Sequence, residues 1–170
     1  MNEKVNKYTV AVLVQNKFGV LNKVTSMFRR RRFNIDALTV SETEAPDYSR
    51  ITVIFDGDSA SKKQLVEQLY KIPEVCSIKE LDSENAVSRE LLLIKMENSP
   101  ETREEIRSAA DAYDAKIVDY TRDSVMIQVT GDSRRINGFI EIMRDYKILE
   151  ICRTGIVSLE CGSKTIREEI

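Results

Sequence analysis

Residues 8–40 read YTVAVLVQNKFGVLNKVTSMFRRRRFNIDALTV, and the change of period inside this stretch decides the fold. Tyr8, Val10, Val12 and Val14 alternate with Ala11 and Leu13, a β-branched run of period two that reads as a central strand. From Val20 the period lengthens. Val20, Leu21, Val24, Met27 and Phe28 fall at i, i+1, i+4, i+7 and i+8, the buried stripe of an amphipathic helix over about Gly19 to Arg32. Ile35 to Glu42 returns to alternation. Strand, short turn, helix and strand make the first half of a split β-α-β unit.

Working outward, Ile51, Val53 and Phe55 alternate after a turn containing Pro46-Asp47, which predicts a hairpin with the strand before it. Ser59 or Ser61 can cap a second helix, Gln64 completing a capping box with Ser61, while Leu65, Val66 and Leu69 form its apolar face and Pro73 ends it. Val75 to Leu81 is a further strand, so residues 8–82 read β-α-β-β-α-β, the ferredoxin-like order. The polar start of residues 83–90 marks a linker. After it the order recurs: strand Leu91 to Met96, a helix opened by Ser99-Pro100-Glu101 and buried on Ile106, Ala109, Ala110 and Tyr113, then a hairpin of Lys116 to Tyr120 and Val125 to Val129. A helical stripe at Ile136, Phe139, Ile140 and Met143 and a last strand within Ile148 to Leu159 complete the second copy. The expectation is an α+β chain of two ferredoxin-like βαββαβ domains in tandem, over 8–82 and 91–161, with a charged and mobile tail at 162–170. The repetition lies in element order rather than residue identity.

Composition narrows the chemistry. With 26 basic and 28 acidic side chains the net charge is -2, which supplies no general attraction for nucleic acid. The strands expected at the sheet centre, Tyr8 to Val14 and Ile51 to Phe55, are aliphatic and offer few groups for base stacking. Histidine is absent, which removes the commonest general acid/base and transition-metal ligand. Cys76, Cys152 and Cys161 have no C-x-x-C spacing and read as ordinary thiols of a reducing compartment rather than a disulfide or metal framework. No apolar run approaches the roughly 20 residues of a membrane span. Met1 to Lys7 has no apolar core followed by a small-residue cleavage site, so a cytoplasmic location is expected.

The turn Gln15-Asn16-Lys17-Phe18-Gly19-Val20-Leu21 is where chemistry concentrates. Glycine permits a tight turn and close approach by a ligand, and the first amides of the following helix carry the positive end of its dipole toward an anion such as a carboxylate. The same residues also suffice for a plain turn, Gly19 allowing it and Asn16 closing it by a side-chain hydrogen bond. Arg29 to Arg32 complement the C-terminal dipole of the first helix, and Glu101, Glu104 and Glu105 complement the N-terminal dipole of the third. None of these is assigned a catalytic role.

Asn16-Lys17-Phe18-Gly19-Val20-Leu21 followed by Arg30-Arg31-Arg32-Phe33-Asn34-Ile35-Asp36-Ala37-Leu38 resembles the ACT-domain signature of acetolactate synthase small subunits. Ser49-Arg50-Ile51-Thr52-Val53, Gln68-Leu69-Tyr70-Lys71, Val87-Ser88-Arg89-Glu90-Leu91, Ala115-Lys116-Ile117-Val118-Asp119, Thr130-Gly131 and Arg153-Thr154-Gly155 follow in the order of related family segments, so the resemblance spans nearly the whole chain. Phe18 stands where relatives commonly have proline or a small residue, and Arg32 where the helix usually ends in glycine.

The resemblance implies an N-terminal ACT domain and an ACT-like C-terminal domain in a non-catalytic regulatory subunit of branched-chain amino acid biosynthesis. It implies a homodimer that binds valine or a related branched-chain effector between paired ACT domains. Asn16 and the amides around Gly19, Val20 and Leu21 would meet the effector carboxylate, with Lys17 and Phe18 in the same effector site and Phe18 reshaping the pocket, while Asn34 and Ile35 of the facing protomer would meet the amino group and side chain. The C-terminal domain would serve partner contact or dimerisation. The implied partner is the acetolactate synthase catalytic subunit, on which thiamine diphosphate, magnesium and FAD would reside, this chain holding no cofactor of its own. The competing reading is an ACT-domain amino-acid sensor that regulates another enzyme or a transcription factor.

Overall fold

The computed structural model of the chain describes residues 6–169; Met1–Val5, within the stretch read for a secretory signal, and Ile170 lie outside the described residues. The chain forms two units, one of residues up to Val87 with those from Ile156 onward, the other Ser88–Gly155.

In the first unit the alternating run becomes β1 (Asn6–Gln15), the period-3.6 stripe becomes α1 (Val20–Arg30), and β2 (Ile35–Glu42), β3 (Tyr48–Gly57), α2 (Ser59–Leu69) and β4 (Val75–Glu80) follow. The sheet order is β2-β3-β1-β4, every neighbouring pair antiparallel. Val10 faces Val53 and Val12 faces Ile51 across β1 and β3. This face packs under Val24 and Phe28 of α1 and Leu65 and Leu69 of α2, with Phe28, Phe33 and Phe55 in mutual edge contact. Asp58, rather than either serine, caps α2: its carboxylate accepts the Ser61 amide hydrogen bond.

The second unit repeats the plan with β5 (Ala86–Glu97), α3 (Arg103–Ala112), β6 (Lys116–Tyr120), β7 (Ser124–Gly131), α4 (Ser133–Met143) and β8 (Ile148–Arg153), in sheet order β6-β7-β5-β8. Its core joins Leu92, Ile94 and Met96 to Ile127, Ile136, Phe139 and Met143. Two boundaries differ from the sequence reading. Residues from Ala86 are strand, not linker, because backbone pairing carries β5 beyond its apolar section. Ser99 to Thr102 form a turn before α3, since the Thr102 and Arg103 amides both bond the Ser99 carbonyl.

Residue-level repetition is also present. Gly57-Asp58-Ser59 and Gly131-Asp132-Ser133 both open the second helix of their unit, and Asp132 caps α4 through the Arg135 amide as Asp58 caps α2. Arg32 and Asp114 follow the two first helices in the left-handed region, with φ of 59° and 45°.

The segment expected to be a mobile tail, 162–170, is instead part of the first unit, and so are residues 156–161, which the sequence reading placed in the second domain. β9 (Val157–Glu160) and a 3₁₀ turn (Ile166–Glu169) lie along the face of the first sheet opposite its helices. Ile166 packs with Ala11, Leu13 and Leu81, all buried. Arg50 donates to the Ser158 carbonyl (2.8 Å), Lys79 pairs with Glu160, and Arg167 pairs with Glu44 (3.1 Å) while lying over the Tyr48 ring. A charged composition hid one apolar anchor, Ile166, which supplies the packing that fixes the segment.

Candidate functional site

The first turn is held by the hairpin beside it. As β1 ends, the Gln15 amide bonds the Glu74 carbonyl (2.8 Å) and the Asn16 amide bonds the Asp47 carbonyl (2.7 Å). The Asn16 side-chain Nδ2 donates to the Pro46 carbonyl (3.0 Å) and to Glu42 Oε1 (3.3 Å). These two acceptors fix the orientation of the amide, and no hydrogen bond reaches its Oδ1 among the described residues. The closing role read for Asn16 is therefore real, and its donors are not the groups that would meet a carboxylate.

The chain then tightens through Lys17 to Gly19. The Lys17 amide bonds the Gln15 carbonyl (2.9 Å) and the Val20 amide bonds the Lys17 carbonyl (3.3 Å). Gly19 caps α1 with φ 82° and ψ -5°, and no side chain covers the helix start. A Cβ at Gly19 would meet nothing within 4 Å, so glycine is required for its conformation and not for space. Val20 is buried as an anchor, whereas Leu21 is half-exposed and Phe18 is wholly exposed, at 107% of its reference area. Phe18 thus walls no pocket within this unit. The Gly19 and Leu21 amides have no acceptor among the described residues, as expected for helix-start donors.

Asn34 and Ile35 stand elsewhere. Asn34 Nδ2 donates to Asp36 (3.0 Å), and Asp36 pairs with Lys7 (2.7 Å) near the start of β1. The hydrogen bond from Lys7 to Asp36, opposed by desolvation, raises the Lys7 pKa above its ordinary value. β1 and β2 run in the same direction on either side of β3, so the start of β2 lies near the start of β1 and the end of β2 lies near the turn. At about 3.3 Å per residue, Lys7 and Gln15 are roughly 26 Å apart. The structure brings Asn16 to Leu21 together and keeps Asn34 and Ile35 at the opposite end of the sheet. It also adds Glu42 to the turn, a residue that the predicted strand order could have revealed, since β2 must finish where β1 finishes.

The second unit shows the same anchor without the opening. Asn98 donates its amide to the Asp123 carbonyl (3.0 Å) and its Nδ2 to the Thr121 carbonyl (2.6 Å), but its Oδ1 accepts from Arg103 Nε (3.1 Å). The helix start beside it already carries Glu104 and Glu105, and the nearby Glu101 carboxyl is held below its ordinary pKa by its own backbone amide and the Ser99 hydroxyl. Neither α1 nor α3 has a side-chain cap; what separates the first turn is that, among the described residues, no hydrogen bond reaches the Asn16 Oδ1 and no carboxylate side chain stands in the first turn of its helix.

Comparisons with known proteins cover both units. A family model described as the AHAS small subunit-like ACT domain matches residues 10–77, and one described as the small subunit of acetolactate synthase matches residues 89–162. A probable acetolactate synthase small subunit of Archaeoglobus fulgidus is 46% identical over 158 residues, covering 93% of this chain and 99% of its own. The acetolactate synthase small subunit of Bacillus subtilis is 38% identical over 159 residues, covering 93% and 92%. A crystal structure of the acetolactate synthase small subunit from Thermotoga maritima superposes with a TM-score of 0.88 at 36% identity, covering 94% of this chain and 99% of that one.

Proposed function

This chain belongs to the acetolactate synthase small-subunit family, and from that membership we propose that it is the non-catalytic regulatory subunit that activates the catalytic subunit and transmits feedback inhibition by valine. The observation that carries the effector reading is the first turn, where the Gly19 and Leu21 amides have no acceptor among the described residues and the same turn holds Asn16, its Oδ1 free of hydrogen bonds, against the Glu42 carboxylate. An amino-acid zwitterion suits such a place. Its carboxylate meets the helix-start amides and its ammonium meets the acceptor pair, leaving an apolar side chain to be enclosed from the other side.

One chain does not supply that enclosure. β2 is an edge strand, and pairing it antiparallel with a second copy would set the Ile35 end of one sheet beside the Glu42 end of the other. In that homodimer Asn34 and Ile35 of the facing protomer complete the pocket, and effector binding becomes linked to association. Thiamine diphosphate, magnesium and flavin belong in this reading to the catalytic partner, since this chain has no glycine-rich phosphate loop.

Reconstitution tests the proposal. Adding the chain to purified acetolactate synthase catalytic subunit should raise its rate and make that rate valine-sensitive. An unchanged rate with no valine response would defeat it.

A further inference from the structure

A basic groove between α1 and the segment following α2 has no role in the reading above. It encloses about 650 Å³, with Lys23, Arg30 and Arg31 on one wall, Lys71 on the other, and Met27 and Ile72 as its apolar floor. Lys23 pairs with Glu74. Arg30 and Arg31 are exposed and, like Lys71, have no acidic partner among the described residues.

Dipole compensation does not account for this charge. A helix C-terminus presents about half a negative charge, whereas Arg29 to Arg32 bring four positive ones to the end of α1 and Lys71 adds another nearby. In a chain whose net charge is -2, so many unneutralised cations around one concavity are a segregated patch. Arginine and methionine are also enriched where protein surfaces meet, the first for bidentate pairing with carboxylates and the second for adaptable apolar contact.

We propose that this groove docks the catalytic subunit through an acidic segment whose carboxylates pair with Arg30, Arg31 and Lys71 and whose apolar side chain rests on Met27 and Ile72. The inference depends on the regulatory-subunit reading for the identity of the partner. The groove itself lies on the helix-covered side of the first unit and leaves the opposite side of the sheet to β9 and its 3₁₀ turn.

The test measures the dissociation constant for catalytic subunit at about 50 and about 300 mM salt, where screening differs strongly. It compares the wild-type chain with a glutamine set (Arg30→Gln, Arg31→Gln, Lys71→Gln), a glutamate set at the same positions, and a control pair, Lys63→Glu with Lys164→Glu, exposed on the first unit outside the groove. At low salt the glutamine set should bind about tenfold more weakly and the glutamate set about a hundredfold more weakly, with wild-type affinity falling at high salt and the control pair unchanged. Circular dichroism confirms retained helix, and the glutamine set carries the test if charge reversal disturbs α1. Wild-type affinity in both sets overturns the docking site, as does an equal loss in the control pair. Binding of a short single-stranded nucleic acid that the glutamine set loses, while affinity for the catalytic subunit stays unchanged, overturns it in favour of a nucleic-acid ligand. Failure of the wild-type chain itself to bind catalytic subunit defeats the regulatory-subunit reading, and the docking site with it.

Discussion

Arg32 shows how a single residue can be strained in service of a helix end. After the Arg31 cap it adopts φ 59°, and the Phe33 amide reaches back to the Phe28 carbonyl (3.1 Å), the bond pattern for which glycine is usual at the left-handed position. A Cβ in that region costs about 1–2 kcal/mol, partly offset on substitution by the larger unfolded-state freedom of glycine, so Arg32→Gly should stabilise the fold by about 0.5–1 kcal/mol in urea unfolding. Asp114 occupies the corresponding place after α3, where the Ala115 amide bonds the Ala110 carbonyl (2.9 Å), but aspartate tolerates this conformation better. Asp114→Gly should therefore gain less, under about 0.5 kcal/mol. At Gly19 the same physics separates shape from charge. Because a Cβ there meets open space, Gly19→Asn and Gly19→Asp share a similar conformational cost, of about 1 kcal/mol. Only aspartate places an anion among the helix-start amides, where it would occupy them and repel a ligand carboxylate. Titration calorimetry should show valine binding weakened in the asparagine variant and abolished in the aspartate variant; equal binding by both would remove the site assignment.

Within the elements, side-chain pattern and backbone pairing carried different information. The stripes of α1 and α4 were legible because burial on a helix follows its period, Leu21 excepted, whereas β2 and β6 were read from sequence alternation and turn position although β2 does not alternate in burial and β6 is exposed throughout. The early part of β5 was not legible, since Ala86 to Glu90 carry no apolar run and are strand through backbone pairing that leaves no side-chain signature. Cap choice failed for a related reason: Ser59, Ser61 and Asp58 are all competent, and the recurrence of Gly-Asp-Ser at 57–59 and 131–133 was the available signal. In the candidate site, Asn16 to Leu21 could be read because glycine and the change of period coincide, while Glu42 enters only through strand order and the full exposure of Phe18 is written in no local pattern. Gly138, inside α4, shows packing overriding propensity. Alanine there should favour the helix by about 1 kcal/mol, yet its Cβ would lie 2.9 Å from the Tyr113 hydroxyl, whose ring is packed on Phe139 at 5.2 Å. Gly138→Ala should be neutral or destabilising alone and stabilising by about 1 kcal/mol in a Tyr113→Phe background, a coupling that a double-mutant cycle measures directly.

At the scale of the molecule the chain is not two domains and a tail in series: Ser88–Gly155 is inserted between two parts of the first unit. A ferredoxin-like sheet covered by helices on one face ordinarily leaves its other face to solvent or a partner, and apolar residues such as Ala11 and Leu13 would be exposed there. Here Ile166 covers them, held by Arg167 on Glu44 and Tyr48 and by Lys79 on Glu160. The exposed ion pairs contribute little individually, so the apolar contact should dominate the segment's attachment. Ile166→Asp removes that contact and forces a carboxylate against the sheet, and should lower the stability of the first unit by about 2–4 kcal/mol. Cys76 provides a local reading of the same event, because it packs against this cluster and burial pushes its thiol pKa upward, whereas Cys152 and Cys161 are exposed. In the wild-type chain Cys76 should alkylate well after the other two thiols, as followed by mass spectrometry of the labelled peptides. In Ile166→Asp, or in a chain stopped after Gly162, each ~1.4 kcal/mol lost from the opening of this face should speed Cys76 labelling about tenfold while Cys152 keeps its wild-type rate. Unchanged labelling of Cys76 in both variants would show that the first sheet holds its second face without the C-terminal segment.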